Sequence, residues 1–334
     1  MFKDFTIKVP SFQLESGEDS GDLEVACCLY GALDKPIVVV LGGISASRWA
    51  LDCPNNSRAG WWQGVLGQSD VLSCEHCCLL TFEYFSFSEN IINPPVLTPA
   101  DQATLLSHIQ NTLNLPQFHA VIGSSFGGMV ALAFAALFPN ALRHLVCLAA
   151  ADKSSVKSQA LRKIQRDIIN LGSQFAVDSQ SQQQFVALAR ALAMVGYRGE
   201  EEFEQRFQNP IPGTALQQVT SYLTHNSERF AAQFSASRYA QLSRSIDYHQ
   251  VDVSLITANT LLIGFTSDQM VPTKFINNMG NNITGSCQIH LLDSLYGHDG
   301  FLLEVKQLTA IFNTFFREHS HDYIERNHRC ASGY

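Results

Sequence analysis

An α/β architecture, with a mostly parallel central sheet, flanking helices and an inserted helical cap, is predicted by three observations. Short apolar runs at Ile37–Leu41, Cys78–Phe82 and His119–Ile122 end in Gly, Ser or charged residues and read as strands buried on both faces. A helical pattern separates the second from the third, so the order there is strand, helix, strand, which is the signature of parallel pairing. Residues 153–250 then lose that texture, and it returns at Thr260–Gly264 and Gln288–Leu292. The expected division is a core made of residues 1–151 and 251–334, interrupted by a cap at 152–250.

The elements follow in order. Pro99–Leu113 places Leu105, Leu106, Ile109 and Leu113 at helical spacing between the second and third strands. After His119–Ile122 comes a turn at Gly123–Gly127, an apolar helix at Gly128–Leu137 closed by Pro139, and a further strand at Leu145–Ala149. The insertion is rich in Gln, Arg, Ser and Glu and carries several amphipathic helical patterns. Leu302–Phe316 reads as a closing helix, and Arg317–Tyr334 as a polar, loosely held tail.

Bulk properties limit the function. The 334 residues are 46% hydrophobic, enough for a sizeable core. A net charge of -8 with 16% charged residues argues against a nucleic-acid surface, which needs concentrated Lys and Arg. The start has no apolar leader, and no run reaches the roughly 18 apolar residues of a membrane span. The nine cysteines follow no secreted disulfide pattern. These readings favour a cytoplasmic protein acting on small molecules. Cys74-Glu75-His76-Cys77-Cys78 has the composition of a metal cluster, but no second ligand pair stands at zinc-site spacing, and no metal is expected.

Gly123-Ser124-Ser125-Phe126-Gly127 fits G-x-S-x-G between a buried strand and a helix, the context in which this motif marks an α/β-hydrolase fold and its nucleophile. Ser125 on so sharp a turn projects its hydroxyl clear of the backbone. The helix start aims N–H groups at any oxyanion formed there, with Phe126 the first donor. The Gly42-Gly43-Ile44 loop offers a second, and Gly43 is the choice. Serine needs a base and an orienting acid, which in this fold follow it as acid, then histidine. Asp268 and His298 stand in that order, in loops beyond the last two strands. His119, His144, His225 and His249 fall inside element or cap patterns and read as structural.

Most of the chain resembles the MetX-type homoserine O-acyltransferases of the α/β-hydrolase superfamily. The stretches that carry the resemblance are FQLESG, LEVACCLYGAL, Gly60-Trp61-Trp62, GSSFGGMVALAFA, LARALAMVGYRGEEEFEQRF and GHDGFLLE. It implies a Ser125-Asp268-His298 triad, with Arg190 and Asp299 binding the amino-acid acceptor, acyl-CoA as co-substrate, no cofactor, and a homodimer formed through the cap helices. Homoserine is a zwitterion, so one fixed cation and one fixed anion suit it. Taken alone, Arg190 reads equally as part of a cap salt bridge and Asp299 as a loop cap.

The implied activity is ping-pong transfer of an acetyl or succinyl group from CoA to the homoserine hydroxyl, a step of methionine biosynthesis. Lys153, Lys157, Arg162, Lys163 and Arg166 form a basic stretch that could meet CoA phosphates. The loop LGGISASR departs from the family's usual form; its Arg48 either meets a succinyl carboxylate or lies at the surface. Serine O-acyl transfer and ester hydrolysis on the same fold are the alternatives, and a binding protein with a degenerate fold is a third that the complete triad disfavours.

Overall fold

The computed structural model describes residues 2–91, 93–208 and 211–319. Eight strands form one sheet: β1 (Phe2–Val9), β2 (Leu23–Tyr30), β3 (Ile37–Leu41), β4 (Cys78–Phe82), β5 (Phe118–Ser124), β6 (Leu142–Leu148), β7 (Asn259–Phe265) and β8 (Cys287–Leu292). Their spatial order is β1-β2-β4-β3-β5-β6-β7-β8. β1, β2 and β4 pair antiparallel, and every pairing from β4 to β8 is parallel.

The parallel strands are apolar on both faces because both are covered. Val39, Leu41 and Val121 face one core with helices α2 (Pro99–Thr112) and α3 (Phe126–Leu137). Val38, Val40 and Ile122 face the other with the short α1 (Gln63–Leu66) and the closing helix. The start of α2 is set locally: Thr98 accepts from the Asp101 N–H, the Asp101 carboxylate accepts from the Thr98 N–H, and Pro99 opens the first turn.

Five helices lie between β6 and β7: α4 (Val156–Phe175), α5 (Ser179–Tyr197), α6 (Glu200–Phe207), α7 (Thr214–Ala231) and α8 (Ala236–Asp247). They form the cap. After β7 come α9 (Thr273–Gly280), then α10 (Gly300–Leu303) and α11 (Val305–Glu318). The closing helix is thus broken at Glu304, whose ψ of 47° is not helical. Of the polar tail, only residues 317–319 lie within the described part, and they continue α11; residues 320–334 lie outside it. Among the described residues no helix is long and apolar enough to cross a membrane.

Candidate active site

The nucleophile turn is held by backbone packing. Ser125 sits at φ 54°, ψ -119°, a strained conformation for a residue with a side chain, costing about 1–3 kcal/mol. Its surroundings enforce it. A Cβ on Gly123 would lie 2.1 Å from the Gly127 carbonyl oxygen, and one on Gly127 would lie 2.3 Å from that of Leu41. Only glycine fits at either position. The Ser125 N–H donates to the Leu148 carbonyl at 2.9 Å, and the Gly127 N–H to that of Gly42 at 2.9 Å. Tyr84 donates to the same Gly42 oxygen at 2.7 Å, so the loop after β3 is pinned to the start of α3.

The three predicted catalytic groups are in line. Ser125 Oγ lies 2.7 Å from His298 Nε2, and His298 Nδ1 lies 2.7 Å from Asp268 Oδ2. The other Asp268 oxygen accepts from the Met270 and Val271 N–H groups at 2.8 and 2.9 Å, which fixes the carboxylate in a turn beyond β7. With Nδ1–H donating to Asp268, Nε2 is free to accept the serine proton. Burial works against an imidazolium here, but the charge and hydrogen bond of Asp268, with Asp299 adding, outweigh it. His298 therefore titrates above the ordinary histidine range.

Phe126 opens α3, so its N–H belongs to the helix's unbonded first turn beside Ser125. Gly43 is close: a Cβ there would lie 3.9 Å from Ser125 Oγ. Both candidate oxyanion donors thus flank the nucleophile.

Two cavities meet at Ser125 and His298. One, of about 120 Å³, is lined by Gly43, Trp61, Arg190, Tyr197 and Asp299. The other, of about 40 Å³, runs past Met129, Lys153, Ser155, Arg162 and Met270. In the first, the Arg190 guanidinium lies over the rings of Phe230 (4.6 Å) and Tyr197 (5.3 Å). Its Nη1 is buried and meets no acceptor among the described residues. Asp299 is different. Its Oδ2 lies 3.1 Å from Arg198 Nε, a partner that the sequence reading missed. Burial raises the Asp299 carboxyl above the usual range, against the pull of Arg198, His298 and Arg190.

Comparison with known proteins bears on the fold and the family. A model of the α/β hydrolase fold family matches residues 36–305. The chain is 30% identical to the homoserine O-succinyltransferase of Xanthomonas campestris pv. campestris over 292 residues, covering 86% of this chain and 78% of that protein. The chain belongs to the homoserine O-acyltransferase family. The fold is shared with the crystal structure of homoserine O-acetyltransferase from Staphylococcus aureus, at TM-score 0.80 and 22% identity, covering 94% of this chain and 96% of that one. It is shared equally with esterase E22, at TM-score 0.84 and 17% identity, covering 94% and 100%.

Other candidate residues lie outside the site. Arg48 bonds Asp4 at 3.0 Å, lies 3.8 Å from Glu83 and covers Trp49. It lines neither cavity at Ser125, and its charge is engaged by Asp4. In the basic stretch, Arg162 and Arg166 both bond Asp247, at 2.7 and 2.6 Å, and Lys163 bonds Asp167 at 2.6 Å. Two carboxylates, Asp247 and Asp167, thus engage all three of these cations. Lys153, by contrast, is exposed at the second cavity.

His119 and His144 pack in an aromatic cluster with Phe316 of α11, and His249 lies 3.0 Å from the Ala151 carbonyl oxygen. Burial presses the Cys77 and Cys78 thiols up, to about 12 and about 11. Among the described residues no group of three or more His, Cys, Asp or Glu is arranged to hold a metal ion.

Proposed function

We propose that the chain moves a short acyl group from acyl-CoA to the hydroxyl of L-homoserine by a ping-pong mechanism, with Ser125 as nucleophile, His298 as base then acid, and Asp268 as its orienting anion. Ser125 attacks the thioester carbonyl as His298 takes its proton, and the Phe126 and Gly43 N–H groups receive the oxyanion. The CoA thiolate leaves with the proton from His298. Homoserine then enters the larger cavity, gives its hydroxyl proton to His298 and takes the acyl group from Ser125.

One observation carries the reading. Arg190 is a cation with a buried, unbonded N–H in the same cavity as Ser125, on a wall with Asp299. A guanidinium so placed grips a carboxylate through two parallel bonds, and Asp299 takes the ammonium, so the zwitterion is held with its hydroxyl at the acyl-serine. Water has neither charge by which to be held.

For the donor we favour succinyl-CoA. The cavity running from Ser125 past Lys153 has a cation suited to a free acyl carboxylate, and the 30%-identical relative is named an O-succinyltransferase. Exposed Leu171, Phe175, Leu188 and Val195 on α4 and α5 support a homodimer through the cap.

The test mixes the protein with succinyl-CoA or acetyl-CoA, with and without L-homoserine or L-serine, and follows CoA release and product mass. O-succinylhomoserine as the main product is the expected result. CoA release independent of any amino acid, with no O-acyl product, overturns transfer in favour of hydrolysis.

A further inference from the structure

We infer that Arg198, at the joint between α5 and α6, is the positioning residue that holds the Asp299 carboxylate as the anion for the acceptor's ammonium. This rests on the acceptor reading above.

The joint and the histidine loop are locked together through their backbones. A Cβ on Gly297, at φ 59°, would lie 2.5 Å from the Tyr197 carbonyl oxygen and 2.7 Å from the Gly199 nitrogen. A Cβ on Gly199 would lie 2.3 Å from the Leu295 carbonyl oxygen. Arg198 lies inside this contact and reaches both ways. Its Nε meets Asp299 Oδ2 at 3.1 Å, while Nη1 meets the two Glu202 oxygens at 3.1 and 3.3 Å. Glu202 is buried and is itself bonded by Arg206 at 3.3 Å. Anchored twice, the guanidinium cannot swing into the cavity.

That arrangement solves a problem of charge. The cavity wall carries one guanidinium, Arg190, and one carboxylate, Asp299, while Arg198, which bonds Asp299, does not line it. Were Asp299 to pair with Arg190, the two charges meant for a zwitterion would neutralise each other. Arg198 occupies Oδ2 instead, keeping Asp299 engaged from the far side and leaving Oδ1 for an ammonium. The charged groups acting on Asp299 are Arg198, Glu202 and Arg190 from the cap and His298 from its own loop. Burial favours protonation of this carboxyl, Glu202 adds to that, and Arg198 is the largest opposing influence.

The experiment compares L-homoserine with 4-hydroxybutanoate, the same alcohol without the ammonium. The ratio of their kcat/KM values, followed against pH, cancels the titration of His298, which both acceptors share. In the wild type the ratio is large and declines as pH falls and Asp299 protonates. In Arg198→Gln it is expected to fall by about 10–100-fold near neutrality, the loss of one charge-assisted bond, with its decline moved to higher pH. Arg198→Lys keeps the charge and restores the position of the decline. Glu202→Gln removes a like charge and moves the decline the other way, to lower pH, which no general loosening of the cap would do; this variant also carries the test if Arg198→Gln does not fold. An unmoved ratio and unmoved decline in Arg198→Gln, or a shift of the same sign in Glu202→Gln, overturns the inference. A wild type that makes no O-acylhomoserine at all removes the acceptor reading instead.

Discussion

The turns at the sheet's C-terminal edge and the cap above them position charge in different ways. In the core, Ser125 and Asp268 are held by backbone, and His298 by the carboxylate so fixed. Ser125 is locked by Gly123 and Gly127, Asp268 by two N–H groups, and His298 by Asp268. In the cap, Arg190 rests on aromatic faces and Arg198 on side-chain carboxylates. The core arrangement suits chemistry that tolerates little displacement, whereas side-chain pairs can be exchanged to suit a different acceptor. Esterase E22 shares this fold.

The comparison is tested first where the effect is largest. Ser125→Ala removes the nucleophile and should lower CoA release by about 10⁴-fold or more, with the oxyanion donors supplying what remains. Activity within a few-fold of wild type would exclude the core as the seat of the chemistry. Asp268→Asn should follow with a loss of about 10⁴-fold in kcat, because the amide no longer holds His298 in the tautomer that presents Nε2 to serine. A small loss, with acceptor KM raised instead, would assign Asp268 to binding.

A third test uses pH. His298 must be neutral to act as base, and its titration lies above the ordinary histidine value of 6.5. Hydrolysis of p-nitrophenyl acetate, which needs no amino acid, should therefore decline tenfold per pH unit below an apparent value higher than 6.5. Asp299→Asn should move that decline to lower pH, since Asp299 helps to hold the proton on His298. An unmoved decline would mean that the cap-facing carboxylate does not act on the core base. The smallest effect is expected at Arg48. Already paired with Asp4, it should leave the preference between succinyl-CoA and acetyl-CoA unchanged when replaced by alanine, as read by competition between the two donors.

The residues show why some of this was legible in the sequence. Strands buried on both faces announce themselves as apolar runs, so β3 to β7 could be read within a few residues, and β8, only half-buried at one edge of the sheet, was read from its remaining apolar residues. β1 and β2 could not. They form the antiparallel edge, where Lys3, Asp4, Lys8 and Glu24 interrupt the pattern because those side chains are in water or paired. The triad was legible because its members stand in strand-end loops in a fixed chain order. Arg198 was not, since its role exists only where the histidine loop meets the α5–α6 joint. The nearest signal was the pair of glycines at that contact, Gly199 and Gly297, which sequence alone cannot bring together. Arg48 stayed open for the same reason: its partners, Asp4 and Glu83, come from elements distant in the chain.

The central claim, that the cap's charges choose an amino-acid alcohol over water, is tested most directly by the fate of the acyl group in Arg190→Gln. Wild-type enzyme given its acyl-CoA and L-homoserine should yield mainly the O-acyl amino acid, with little free acid. In Arg190→Gln the ratio of transfer to hydrolysis at fixed homoserine should fall by about 10–100-fold, as expected for removing one charged hydrogen-bonding group. An unchanged ratio would contradict the account and leave the acceptor to be selected elsewhere in the molecule.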